Sequence, residues 1–273
     1  MEQSMRQLWC LLLLLFSSAR CHASWEELDF TGYLSLGAAY QQTLIAPLDR
    51  TINGKALLNL SIDLQYRNFF IESEDRRNVL RYGSGLIGYH LWQNEESTFS
   101  VTATSYHDAI GPDLATVFGT VHLPELEGLH LRNSDFLIGL RYQRYWQQHY
   151  AAIELGQDIE SHYGQQLRLI YSFRYPLRNW DLYYNIGLSF STARLVNYYY
   201  GVTTAESLVD RPEYSAGAGQ QVHFGFSAVY PLSPAWLIEF GLAANGFSAA
   251  YTNSPLSDRN KEFRSLVKFR YVF

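Results

Sequence analysis

The sequence predicts an all-β protein, an antiparallel up-and-down transmembrane β-barrel of about twelve strands. Three observations predict it. Apolar and polar residues alternate with period two along segments of about ten residues, the length that crosses a membrane as a tilted strand. The connections between these segments alternate short and long, as in a transmembrane barrel with tight turns at one end and long loops at the other. Aromatic residues crowd beside the short connections, where such a barrel carries an interfacial girdle.

Composition agrees. Of 273 residues, 47% are hydrophobic and 17% are charged, with a formal charge of −5. A soluble domain usually carries about 25% charged residues. The balance is not basic, which argues against nucleic acid as a partner. Residues 1–23 read as an export signal: Arg6 supplies the positive start, Leu8 to Phe16 an apolar run, and Cys21 to Ala23 an A-x-A-like cleavage site. A lipoprotein signal acylated at Cys21 is the competing reading, and Arg20 beside it argues against that. Cys10 and Cys21 both fall in this signal, so the mature chain, residues 24–273, is expected to form no disulfide.

Beyond residue 23 no apolar run is long enough for a membrane-spanning helix. Strands are expected near 29–42, 57–66, 69–74, 82–92, 97–107, 134–145, 148–157, 165–175, 180–192, 220–231, 235–249 and 261–273. The third is short and the fourth rich in glycine, so the number is ten if those two fail. In the second, Leu58, Leu60, Ile62, Leu64 and Tyr66 face one way and Asn59, Ser61, Asp63 and Gln65 the other. In the sixth, Phe136, Ile138, Leu140 and Tyr142 oppose Gly139, Arg141 and Gln143. In the eighth, Leu167, Leu169, Tyr171, Phe173 and Tyr175 oppose Gln166, Arg168, Ile170, Ser172 and Arg174. The ninth and tenth repeat the pattern, with His223 on the polar face of the tenth.

Short connections lie at 67–68, 93–96, 147–148, 176–179 and 232–234. Long ones lie near 43–56, 75–81, 108–133, 158–164, 193–219 and 250–260. Tyr66, Phe69, Trp92, Tyr145, Trp146, Tyr150, Tyr175, Trp180, Tyr230 and Trp236 flank the short ones and form the expected girdle. The chain closes on "VKFRYVF", with Phe263, Val267, Phe269, Tyr271 and Phe273 on one face and Arg264, Lys268 and Arg270 on the other. Every backbone polar group in lipid needs a partner, so this last strand should pair with the first and close the barrel. A final strand ending in Phe also resembles the signal that outer-membrane proteins present to their insertion machinery, carried here by Phe269, Tyr271 and Phe273.

The segment from Asn197 to Gly219, with Tyr199, Tyr200, Gly201 and Val202, then Ala205, Glu206 and Tyr214, and the later Ser254, Pro255 and Leu256, resembles the MltA-interacting protein family, also called the MipA/OmpV family. In that family a strand end carrying Tyr-Tyr-Gly-Val leads into a loop of small and acidic residues. The likeness is clearest over the last 80 or so residues. It implies a barrel in the bacterial outer membrane, in contact with its lipid, acting as a non-enzymatic scaffold between a murein hydrolase and a murein synthase. It also implies porin-like relatives.

Chemistry-bearing motifs are few. No two histidines are spaced on one strand face as metal ligands. His107 and Asp108, in "YHD", could orient a nucleophile at the outer rim, but no serine or second carboxylate is set beside them by the sequence. Gly83 to Gly85 and Gly217 to Gly219 lack the following helix of a phosphate loop. No cofactor is expected. The polar strand faces carry Asp63, Arg141, Glu154, Arg168, Arg174, Glu239, Arg264, Lys268 and Arg270 as candidate lumen charges. These charges either line an aqueous path for small solutes or pair across a filled barrel.

Overall fold

The computed structural model describes residues 28–72, 86–116 and 119–273. The export signal lies outside them, as do Gly83 to Gly85, the end of the third expected strand and the start of the fourth. The strands are β1 (Leu28–Gln42), β2 (Ala56–Tyr66), β3 (Phe69–Glu72), β4 (Leu86–Gln93), β5 (Ser97–Thr104), β6 (Asp113–Thr116) and β7 (Gly119–His122). They continue with β8 (Leu137–Trp146), β9 (His149–Asp158), β10 (Gln165–Leu177), β11 (Trp180–Ser191), β12 (Gly219–Pro231), β13 (Trp236–Phe247) and β14 (Lys261–Val272). Twelve form a closed antiparallel barrel, in the order β1, β14, β13, β12, β11, β10, β9, β8, β5, β4, β3, β2. The short third segment is a true wall strand. Strands β6 and β7 stand apart as a hairpin inside the long connection from β5 to β8, where the sequence suggests only loop.

Closure is made by the terminal strand. Tyr33 pairs with Val272 and Gln42 with Phe263 in the β1–β14 register. Gly32 and Phe273 exchange both backbone hydrogen bonds, at 3.1 and 3.0 Å. A Cβ on Gly32 would lie 2.5 Å from the Phe273 ring, so only glycine lets the final aromatic sit there. Facing follows the period-two pattern: Leu58 is 66% exposed to the lipid side and Ser61 1% exposed in the interior.

The turns at the end that carries Leu28 and Phe273 are tight. Arg67–Asn68, Gln147–Gln148 and Arg178–Asn179 are two-residue turns, bracketed by the pairs Tyr66–Phe69, Trp146–His149 and Leu177–Trp180. The first residue of each is left-handed, with φ of 54°, 50° and 55°. Phe69, Trp92, Tyr175 and Trp236 beside these turns are exposed outward, as a girdle requires. Tyr145 and Tyr150 are a correction. They are paired with each other across β8 and β9, and Tyr150 is buried in the lumen. Proximity to a turn selects these aromatics, but strand parity sends their rings inward.

The long connections at the other end fold into a cap. The segments 43–55, 105–136, 192–218 and 248–260 pool Leu44, Ile45, Leu123, Leu126, Leu195, Val196, Tyr199, Val202, Tyr251 and Leu256 into one buried hydrophobic cluster. Two short helices help build it: α1 (Ala193–Tyr200) and α2 (Ala249–Thr252). Helix α1 buries Leu195, Val196 and Tyr199, one face of a 3.6-residue period. The Tyr-Tyr-Gly-Val stretch is therefore a helix end and not a strand end. Helix α1 ends at Gly201, where the backbone turns extended with ψ of 154°, and a Cβ there would lie 2.3 Å from the Asn197 carbonyl oxygen.

Candidate functional site

Within the barrel wall, the expected lumen charges fall into separate groups. Arg141, 1% exposed, makes a bidentate pair with Glu72, at 2.7 and 2.8 Å, and lies 5.1 Å over the Phe70 ring. On the opposite wall Glu239, fully buried, accepts from Arg270 and faces Lys268 Nζ at 3.3 Å. Arg270 also sits 5.1 Å over Tyr33. Serines make room for these long side chains: Ser35, Ser61, Ser100, Ser172 and Ser227 are all buried. Arg174 stands apart, partly exposed at the short-turn rim and bound to Asp181 at 2.7 Å. Asp63 lies half-buried beside Glu72 in the β2–β3 register.

Nearer the cap, Glu154 receives Arg168 at 3.2 Å and the Tyr106 hydroxyl at 2.8 Å, and Arg168 lies 4.3 Å over the Tyr106 ring. Arg264 donates to Gln41 Oε1 at 2.8 Å. Above them, and below the cap cluster, is a chamber of about 280 Å³. Arg168, His223 and Arg264 reach it from the wall, and Asp108, Tyr199 and Tyr251 from the cap.

The cap is held by charged groups of which the sequence pattern marks only His107 and Glu206. Asp135 accepts the Tyr106 and His107 backbone N–H groups at 2.7 and 3.1 Å and pairs with His107 Nδ1 at 2.6 Å. Burial alone would raise the Asp135 carboxyl, but bonds to His107 and His162 hold it far below the usual carboxylate range. His107 stacks on Tyr199 at 4.8 Å. Its orienting carboxylate is thus Asp135, not its neighbour Asp108, and among the described residues no serine, threonine or cysteine is hydrogen-bonded to its ring. Asp158 gathers the N–H groups of Phe136, Ser161, His162 and Tyr163. Arg132 and Glu206 form a buried ion pair, and Glu206 also closes a capping box with Thr203. The spacing Thr203-x-x-Glu206 was the one legible signal for that box.

Two comparisons bear on what this chain is. The family model for "MltA-interacting protein MipA" matches residues 34–273, nearly the whole described barrel. The chain belongs to the MipA family. It is 30% identical over 253 residues to outer membrane protein Omp26La of Vibrio anguillarum, spanning 87% of this chain and 85% of that one. It is 31% identical over 93 residues to outer membrane protein OmpV of Vibrio cholerae, spanning 34% and 36%. Among solved structures it is similar to the outer membrane channel DcaP of Acinetobacter baumannii, at 9% identity and a TM-score of 0.42, covering 90% of this chain and 97% of that one. The NanC porin matches at 8% identity and a TM-score of 0.43, covering 87% and 98%.

This MipA family member is accordingly an outer-membrane β-barrel whose apolar strand faces contact lipid. The residues that carried the family likeness meet inside its cap. Ser254 donates to the Tyr200 carbonyl at 2.5 Å, the Tyr200 and Tyr251 rings meet edge to face at 5.0 Å, and Val202 and Leu256 are both buried in the cap cluster. Pro255 sits between Ser254 and Leu256 in the same segment.

Proposed function

We propose that this protein works as a closed, non-enzymatic outer-membrane body that binds partners, and not as an open pore. The cap cluster carries the reading: four long connections bury a shared apolar core across one mouth of the barrel. A wall charge beside an open aqueous path would be wet, whereas Arg141 and Glu239 are buried and ion-paired below the chamber. The partner is a murein hydrolase of the kind named in the family's description, MltA, with a murein synthase recruited alongside. Short turns face the periplasm in bacterial barrels. The enzyme would therefore meet the surface carrying Arg67, Gln148 and the Arg144–Glu96 and Arg174–Asp181 pairs. Insertion of the chain itself relies on the barrel insertion machinery reading Phe269, Tyr271 and Phe273.

The test has two arms. The refolded mature protein in a planar bilayer is expected to be electrically silent, and steady conductance would return the reading to a small-solute channel. Immobilised protein is expected to retain an MltA-type lytic transglycosylase, and to lose it when Arg67, Arg144, Arg174 and Arg178 are changed to Glu. No retention above that of an unrelated barrel would reject the scaffold role.

A further inference from the structure

The chamber beneath the cap has a specific chemistry. Glu262, Asn245 and His223 are neighbours in register on β14, β13 and β12. Glu262 Oε1 accepts the Leu44 N–H of the cap at 3.1 Å, and its Oε2 accepts Asn245 Nδ2 at 3.1 Å. That fixes the Asn245 amide, so its carbonyl oxygen faces His223 Nδ1 at 2.7 Å. Nδ1 therefore carries the imidazole proton, and Nε2 is left as an acceptor. His223 Nε2 is buried and has no hydrogen-bond partner among the described residues.

Two further acceptors point the same way. Gln166, 5% exposed, donates its amide to Ser191 Oγ at 3.3 Å, which leaves its Oε1 buried without a donor. Asp108 is exposed, and its side chain borders the chamber, where its carboxylate can accept from a guest. Buried acceptors without donors, as at His223 Nε2 and Gln166 Oε1, are costly. They call for a guest rich in hydroxyl or N–H groups.

Charge narrows the guest. Among the lining residues Arg168 and Arg264 match Asp108 and Glu262 in number, so the lining offers neither a cation nor an anion a surplus of opposite formal charge. Tyr199, Tyr200 and Tyr251 supply aromatic surface overhead. At about 280 Å³ the space is just below the roughly 300–1,000 Å³ typical of small-molecule sites.

We propose that this chamber binds a small uncharged polyhydroxylated solute of monosaccharide size. Hydroxyl groups donate to His223 Nε2, Gln166 Oε1 and the Asp108 carboxylate, and accept from Arg264. The site is independent of the scaffold reading, since a barrel that neither conducts nor holds a murein enzyme can still bind the solute.

Isothermal titration of the folded mature protein in detergent tests it, with glucose, glucosamine and glucuronate as probes. Glucose is expected to bind, and the two charged sugars about tenfold more weakly. Asp108→Ala and His223→Phe are each expected to weaken glucose about tenfold, the equivalent of ~1.4 kcal/mol, with heat-modifiable gel migration unchanged. Three outcomes overturn the proposal: no glucose binding by the folded barrel, which means that the chamber holds water only; equal or tighter binding of either charged sugar; or glucose binding that neither substitution alters.

Discussion

Arg132 and Glu206 meet in the middle of the cap as a fork on a carboxylate, with Arg132 Nη1 on Oε1 and Nη2 on Oε2, the second bond at 2.9 Å. Neither side chain is more than 7% exposed. The same guanidinium donates to the carbonyls of Tyr198 and Gly201, and so ties the segment 105–136 to the end of α1. Removing one partner strands the other as a buried charge, at about 3–5 kcal/mol. Arg132→Ala is expected to expose the segments 105–136 and 192–218 to protease and to fast hydrogen exchange, with the barrel strands still protected. Arg132→Met combined with Glu206→Leu should recover most of the protection.

Acid should act on the same joint. Burial would raise the Glu206 carboxyl, but Arg132, the Thr203 hydroxyl and N–H, and the His130 N–H together hold it well below the ordinary glutamate range. A carboxylate depressed in the folded state stabilises it fully above its unfolded pKa, about 4.3, and that contribution is lost as pH falls toward the folded value. Asp135 adds in the same direction. Protection factors in the cap, exchange rates corrected for the intrinsic rate at each pH, are expected to be flat from neutral pH to about 5 and to fall below about 4. Loss of protection on the alkaline side instead would contradict the assignment.

The fully buried Glu239 is ion-paired with both Arg270 and Lys268. Glu239→Ala is expected to cost about 3–5 kcal/mol and to lower the temperature at which the heat-modifiable band shifts. Arg174→Ala, at the wet rim, should cost at most ~1 kcal/mol.

Gln147 holds φ at 50° in a two-residue turn. A left-handed residue with a Cβ costs about 1–2 kcal/mol, and glycine avoids most of that at some entropic expense. Gln147→Gly should stabilise the barrel by ~0.5–1 kcal/mol in urea unfolding, and a loss of stability would show that the side chain has another task.

Phe273 closes the seam with Gly32, and Tyr271 faces lipid beside it. Deleting Phe273, or Tyr271→Asp, is expected to reduce the fraction of chain that reaches the heat-modifiable form in cells more than it lowers the stability of the chain that does. A lipid-face charge is mild near an interface. Wild-type yields of both variants would remove the assembly role of this terminus.

The barrel was legible because its constraint is local and repeated. A residue such as Leu58 or Ser61 announces its face by parity, and lipid allows no unpaired edge, so the seam and about a dozen wall strands follow from spacing, while the choice of twelve over ten needs the structure. Tyr150 shows where the shortcut fails: its position near a turn was read before its parity. The cap was not legible. Helix α1 is eight residues long, too short for its period to stand out beside the strands, and it holds its shape by packing against residues from other loops. Asp135 meets His107, 28 positions away, only where the chain doubles back, and Arg132 and Glu206 are separated by 74 positions. Charges on polar faces could be named one by one, but which pair with which depends on the barrel's circumference.

The outward surface of the cap is assembled from stretches that are more than 200 positions apart, since Asp258 accepts the Ala46 N–H and Arg259 holds the Thr43 carbonyl. A cell displaying this protein therefore presents composite epitopes. Antibodies raised against linear peptides from any one loop should recognise denatured chain far better than living cells, and bacteriophage or immune receptors that grip the native form would lose it through a substitution in a loop they never touch.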